Sequence, residues 1–187
     1  TKVWGQSLGR DILLRWDNNG QAVRGDFVQI GNHGNGSATL KISGHSSCLR
    51  VKWAGIYWAS TGGMGRQGDN STYNATLRLP NGQSVPLRAD ERMTTVFGGH
   101  EFLWNSYKDV TSIIQGLGAG FNNAEYQLTY SIGGWSIWNL VVVYEDINAS
   151  TSKRVYVYDG CLLNFYNYNG VQPVSYTHLT LPTSDLV

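Results

Sequence analysis

Residues 138–145 read WNLVVVYE, a near-continuous apolar run built around three valines. Such a run has no hydrophilic face to turn to water. It predicts a central strand covered on both sides, and the rest of the chain has to provide that cover. Three other stretches carry a strong strand pattern. Residues 37–43 (SATLKIS) and 154–159 (RVYVYD) alternate, as half-buried strands do. Residues 49–59 (LRVKWAGIYWA) place Val51, Trp53, Gly55 and Tyr57 on one face. Weaker strand candidates lie at 12–16, 26–31, 73–79, 84–88, 93–97 and 126–132.

Turn chemistry punctuates these segments. Asn81-Gly82 predicts a hairpin through a type I′ turn, since both residues tolerate the positive φ it requires. Pro80 and Pro86 push its two strands toward a sheet edge. One short helix is predicted near 109–115, with Asp109 or Thr111 capping its free amides and Gly116 ending it in the left-handed conformation. A helix this short stands only by tertiary packing. Many short strands with regular turn signals give an all-β fold, an antiparallel β-sandwich of jelly-roll type.

Composition narrows the function classes. Charged residues are 14% of the chain, against a norm of about 25%, and polarity comes instead from Gly, Asn, Ser and Thr. A formal charge of +1 leaves no basic stripe for nucleic acid. No apolar run approaches the ~20 residues of a membrane helix, so no membrane insertion is expected. Cys48 and Cys161 are the only cysteines; they form one disulfide in an oxidising compartment or serve as two small buried apolar residues.

The chain ends PVSYTHLTLPTSDLV. This resembles one translated frame of a transposon-library sequencing adaptor, matching from Val174 to Val187. Residues 173–187 are therefore read as a non-native tail behind a β-sandwich domain of residues 1–172 that continues past the sequence given. Tyr176, His178 and Asp185 then carry no functional information. The tail is expected to pack poorly, with side chains more exposed than those of residues 141–144.

Catalytic patterns are scarce. The candidate acids are Glu91, Glu101, Asp109, Glu125, Glu145, Asp146 and Asp159, and the candidate histidines are His33, His45 and His100. A glycan hydrolase needs two carboxylates facing one sugar ring, and the adjacent Glu145 and Asp146 point to opposite faces of a strand. No GxSxG, HExxH or phosphate-loop pattern occurs, and nothing calls for a cofactor. Arg24-Gly25-Asp26 spells an integrin-binding tripeptide but leads straight into a predicted strand. Asp17-Asn18-Asn19-Gly20 spaces oxygen ligands as calcium loops do, yet lacks the later bidentate Glu and equally describes an Asx turn. Sequons at Asn35, Asn70, Asn74 and Asn148 indicate exposed turns. Trp58 and Trp104 flank loops and, with Asn70, are the candidates for stacking and hydrogen bonding to a sugar.

The order of segments carries a resemblance. GDFVQIGN (25–32), VKWAGIYW (51–58), YKDVTSII (107–114) and GGWSIWNLVVVYEDINASTSKRVYVYDG (133–160) follow one another. This set resembles the N-terminal head domain of large bacterial secreted and cell-surface proteins, those that carry extracellular repeats. The cysteine that usually follows the Gly-Asn phrase comes later here, as Cys48. The resemblance implies a secreted, surface-displayed β-sandwich, non-catalytic, with an adhesive or structural role. Its partners would be a glycan or a host or cell-surface protein, and a carbohydrate-binding module is the alternative. It also implies structural roles: Trp53 and Tyr57 pack inward beside Trp135, Asp109 caps the helical turn, and Glu145 and Asp159 fix turns at strand ends by accepting backbone hydrogen bonds.

Overall fold

A strand that is apolar on both faces needs a layer on each side, and the fold provides them. A computed structural model describes residues 8–44, 46–61, 70–97, 100–131, 133–165, 171–174 and 177–179. In chain order its strands are β1 (Leu8–Asp17), β2 (Gly25–His33), β3 (Ser37–Leu40), β4 (Leu49–Thr61), β5 (Asn74–Arg78), β6 (Ser84–Arg88), β7 (Glu91–Phe97), β8 (His100–Asp109), β9 (Ala124–Tyr130), β10 (Ser136–Asp146), β11 (Tyr156–Phe165), β12 (Val171–Val174) and β13 (Thr177–Leu179), with one α-helix, α1 (Thr111–Gln115). The fold is all-β, antiparallel and sandwich-like. A central five-stranded sheet runs β2-β10-β4-β8-β7, a second runs β3-β9-β5-β6, and a third runs β1-β11-β12 with β13 also on β11. No helix among the described residues is long and apolar enough to cross a membrane.

The apolar run of β10 divides its side chains between the two neighbouring layers. Trp138, Leu140 and Val142 point one way, into a cluster with Leu40, Leu77, Tyr126 and Leu128 of the second sheet. Val141 and Val143 point the other way, to Val155 and Val157 of the third sheet's side. Residues 140–143 are fully buried. β4 behaves alike: Ala54, Ile56 and Trp58 join the first cluster, Trp53 and Tyr57 the second. Val51 breaks the expected alternation. In the register Val143 pairs with Trp53 and Tyr144 with Val51, so Lys52 is an extra residue. This bulge turns Val51 to the face opposite Trp53.

Other departures have local causes. The hairpin β5–β6 forms where Asn81-Gly82 predicts it, but only Gly82 takes positive φ, at +84°. Pro80 sits at the second position of the turn closed by Gly82 N–H to Leu79 O, where its fixed negative φ favours type I, followed by a left-handed glycine. The type I′ turn belongs to Asn19-Gly20 instead, with φ of 53° and 74° and Gln21 N–H donating to Asn18 O. Gly116 ends α1 in right-handed geometry, and it is Gly118 that adopts positive φ. The strand predicted at 154–159 begins at Tyr156 and continues to Phe165 because β1 and the two short strands β12 and β13 pair with it. β8 carries no strand signal in the sequence, since Asn105 and Ser106 interrupt its apolar pattern, yet both are buried.

The C-terminal segments β12 and β13 lie along one side of β11 by backbone pairing. The expectation about the exposure of the tail falls on side chains outside the described residues. Cys48 is a half-buried free thiol, not half of a disulfide, and the side chain of Cys161 also lies outside the described residues.

Gly55 lies under the Trp53 ring, which folds back over the face of its own strand beside Tyr107 of β8. A Cβ there would lie 2.4 Å from Trp53 Cη2 and 3.0 Å from Tyr107 Cε2. Gly55→Val is expected to lower stability by about 1–3 kcal/mol through overpacking, read as a lower urea midpoint with unchanged slope. A midpoint equal to that of the parent would refute the close packing of Trp53 over this position.

Candidate functional site

The aromatic side chains sort differently from the sequence reading. Trp58 is 0% exposed and its Nε1 donates to Thr72 O at 2.9 Å. Trp104 is 4% exposed and meets Tyr130 edge-on at 6.4 Å. Both point into the core, so neither offers a stacking surface. Asn70 opens a short 3-10 turn, and its side chain lies outside the described residues. Trp53 and Tyr57 face inward as expected, Trp53 stacked on Trp16 at 6.2 Å and Tyr57 against Tyr107 at 5.1 Å. Trp135 does not join them. It precedes the first residue of β10, in the turn Gly133-Gly134-Trp135, and is 51% exposed.

The acids also need correction. Asp109 Oδ1 accepts the Thr111 amide at 2.8 Å and caps the helical turn. Glu145 fixes no turn; it lies 3.8 Å from Lys52, the bulged residue beside it, at the surface. Its neighbour Asp146 does that work by accepting the Asn148 amide at 2.9 Å. Asp159 sits inside β11 rather than at its end and is engaged by a side chain. Arg15 is the extra residue of a bulge in β1, between the pairs Leu14–Tyr158 and Trp16–Val157. Bulges re-aim side chains, and this one sends the guanidinium between the layers. Its Nε donates to Asp159 Oδ2 at 2.6 Å, and its Nη2 to Asp159 Oδ1 at 3.0 Å and Glu91 Oε2 at 2.9 Å. Its Cζ lies 4.1 Å from the Tyr107 ring centroid.

This group ties β1, β11, β7 and β8 together across the gap between two sheets. Asp159 is 1% exposed. Burial would by itself lower the Arg15 pKa, but the hydrogen bonds and charge of Asp159 hold it above its ordinary value. Burial, followed by the charge of Asp159, pushes the Tyr57 hydroxyl well above the usual tyrosine range, and burial does the same to Tyr107. The Tyr57 hydroxyl is buried beside Asp159 without a partner in hydrogen-bonding geometry. With both carboxylates bound to one guanidinium and Asp159 shut off from solvent, the cluster acts as a fastener between layers.

The two motif candidates are likewise occupied by structure. Asp17 Oδ1 accepts the Asn19 amide at 2.8 Å, an Asx turn, and the described residues form no group of metal-ligating side chains. In Arg24-Gly25-Asp26, Arg24 Nε donates to Ala149 O, Gly25 pairs with Glu145 and Asp26 binds Lys153. A tripeptide held in this way cannot protrude as a recognition loop.

An exposed feature remains on the central sheet. Where the third sheet ends, the face shared by β2 and β10 opens into a shallow groove of about 370 Å³, lined among others by Gln29, Gly31, His33, Ile137 and Asn139. Gln29 Nε2 donates to Asn139 Oδ1 at 3.1 Å. At its end the Trp135 ring meets His33 edge-on at 5.6 Å. The groove was missed in sequence reasoning because its two amides come from strands 110 residues apart. The one available signal was the exposed-turn pattern Gly133-Gly134 ahead of a tryptophan. No family model, curated protein or solved structure matches this chain.

Two outcomes follow from the buried cluster. Arg15→Met leaves Asp159 buried without its partner and is expected to cost about 3–5 kcal/mol. Tyr57→Phe removes a hydroxyl that lies beside Asp159 outside good hydrogen-bond geometry and should cost far less; chemical denaturation of both variants checks the contrast, and equal losses would contradict it. The second outcome concerns alkali. Buried Tyr57, Tyr107 and Tyr126 have pKa values raised above the ordinary one, and burial pushes Tyr130 up to about 12. The unfolded chain ionises first, near pH ~10, so this stability is complete below that pH and falls as pH rises through the folded values. Tyrosinate absorbance should therefore rise in a late step coincident with loss of the near-ultraviolet dichroism. A single step preceding unfolding would rule this out.

Proposed function

We propose that this chain is a non-catalytic domain displayed outside a bacterial cell, with an adhesive role. One observation carries the reading: Asp159 and Glu91 are spent on holding layers together and other acids are taken up in surface ion pairs, while a neutral surface of amides and an indole faces solvent. Asp159 and Glu91 bind Arg15, Asp26 binds Lys153, and Asp90 binds Lys108. The exposed groove presents Gln29, Asn139 and His33, and Trp135 stands against His33 at its end. A surface of this kind suits contact with an uncharged partner at low electrostatic selectivity. The low charge of the chain, 14%, and its Gly, Asn, Ser and Thr polarity agree with an extracellular setting, as does the resemblance to surface-protein head domains.

The location is tested with antibodies to the domain on intact and permeabilised cells of the source bacterium. Labelling of intact cells, removed by external protease, is the expected result. Labelling that needs permeabilisation would exclude display. Beads coated with the purified domain should adhere to host-cell or bacterial-envelope surfaces several-fold above albumin-coated beads, and equal retention would exclude adhesion.

A further inference from the structure

We infer that the groove between β2 and β10 is a binding site for a neutral pyranose within a glycan chain, with Trp135 as its stacking platform. The inference rests on the adhesive reading and names its ligand class. On the groove-facing side of β2 the residues run Phe27, Gln29, Gly31 and His33; Phe27 lies under the third sheet's cluster, and the next three are exposed. Opposite them on β10 stand Val141, Asn139 and Ile137.

Gly31 keeps the groove open. A Cβ there would fall 2.2 Å from Trp138 O and 2.6 Å from Asn139 Oδ1, so any side chain would displace the Asn139 carboxamide. With glycine present, that carboxamide lies across the floor and accepts from Gln29 Nε2. The bond uses one donor and one acceptor. It leaves the Asn139 amino group, the Gln29 carbonyl and the second Gln29 N–H for a ligand. Donors and acceptors fixed side by side match the vicinal hydroxyls of a sugar.

Trp135 is braced rather than loose. Its amide donates to Thr61 Oγ1 at 2.9 Å, its carbonyl accepts from Thr61 N at 2.8 Å, and Gly133 N donates to Ser60 Oγ at 3.0 Å. A Cβ at Gly134 would meet Thr61 Oγ1 at 2.6 Å, so the turn needs its glycines to approach β4. The backbone that carries the indole is thereby fixed, and the half-exposed ring lies edge-on to His33. It offers a flat apolar face for the C–H side of a pyranose ring. The lining contains no Asp, Glu, Lys or Arg, which fits an uncharged sugar and disfavours an acidic one. Its shallow, open form suits an internal unit of a chain.

The test is a titration of isotope-labelled domain with neutral hexasaccharides of glucose, galactose and N-acetylglucosamine, with hexagalacturonate as the anionic control. At least one neutral sugar should shift the Trp135 indole N–H and the Gln29 and Asn139 side-chain amides, and leave the Trp58 indole unmoved. Trp135→Ala should weaken binding ~10-fold or more, as loss of a central aromatic anchor does, and Gln29→Ala by several-fold, with folding checked by the unchanged Trp58 resonance. No shift with any neutral sugar at millimolar concentration, stronger binding of the galacturonate, or undiminished binding by Trp135→Ala overturns the inference. Bead adhesion separates the two proposals. Adhesion that survives enzymatic deglycosylation of the surface, together with no sugar shift in the titration, points to a protein partner and overturns the glycan site while the adhesive reading stands. Sugar binding without bead adhesion leaves the site and removes the adhesive role.

Discussion

Two-sided burial of β10 and β4 is the constraint on which the rest of this structure depends. Over residues 140–143 and 53–60 neither strand has a face for water, so each layer exists partly to cover them. The second sheet achieves this with aliphatic and aromatic side chains: Leu40, Leu77, Tyr126 and Leu128 meet Ile56, Trp58, Trp138 and Leu140. Several polar atoms carried into that contact are satisfied locally. Trp58 Nε1 and Ser106 Oγ both donate to Thr72 O, and Asn122 pairs its amide with both backbone groups of Ile42. In these pairs, buried backbone and side-chain groups complete one another.

The third sheet solves the same problem with less apolar area. Val155, Val157 and Trp16 cover Trp53, Tyr57, Val141, Val143 and the partly buried Phe27 of the central sheet, and beside them a charged group takes over. Arg15 with Asp159 and Glu91 replaces part of a hydrophobic contact by directional bonds. Such a pair contributes little net stability once its desolvation is counted, but it strongly favours one arrangement of the layers over a slipped one. Beyond its reach the central sheet needs no cover, because Gln29, His33 and Asn139 can face water.

What could be read from the sequence follows how local each cause is. The β10 run, the 49–59 strand and the 74–88 hairpin announce themselves through periodicity and turn residues. β8 does not, because Asn105 and Ser106 look solvent-facing until Thr72, 34 residues before Ser106, accepts the Ser106 hydroxyl. Two bulges were equally hidden. Lys52 and Arg15 are ordinary residues in strand-like stretches, and only the register of a partner strand shows that each is one too many. Asn19-Gly20 and Asn81-Gly82 give different turns because Pro80 precedes the second. Among the candidate site residues, Asp109 acts from its immediate neighbourhood and was legible. Trp58, Trp104 and Trp135 were misplaced, since side-chain exposure depends on layers that periodicity alone does not assign.

The pairing of β1 with β11 has a consequence for how such a chain reaches its native state. Arg15 and Asp159 are 144 residues apart, so the third sheet closes only after nearly the whole described chain is in place. A polypeptide emerging end-first, from a ribosome or through a secretion pore, would hold β1 ready long before its mate arrives. Until then Trp53, Tyr57 and Val143 would present a sticky surface to anything nearby. Long-range pairing of this kind slows folding and lengthens exposure. For a chain built this way, the order of emergence keeps β1 waiting until β11 has followed it out.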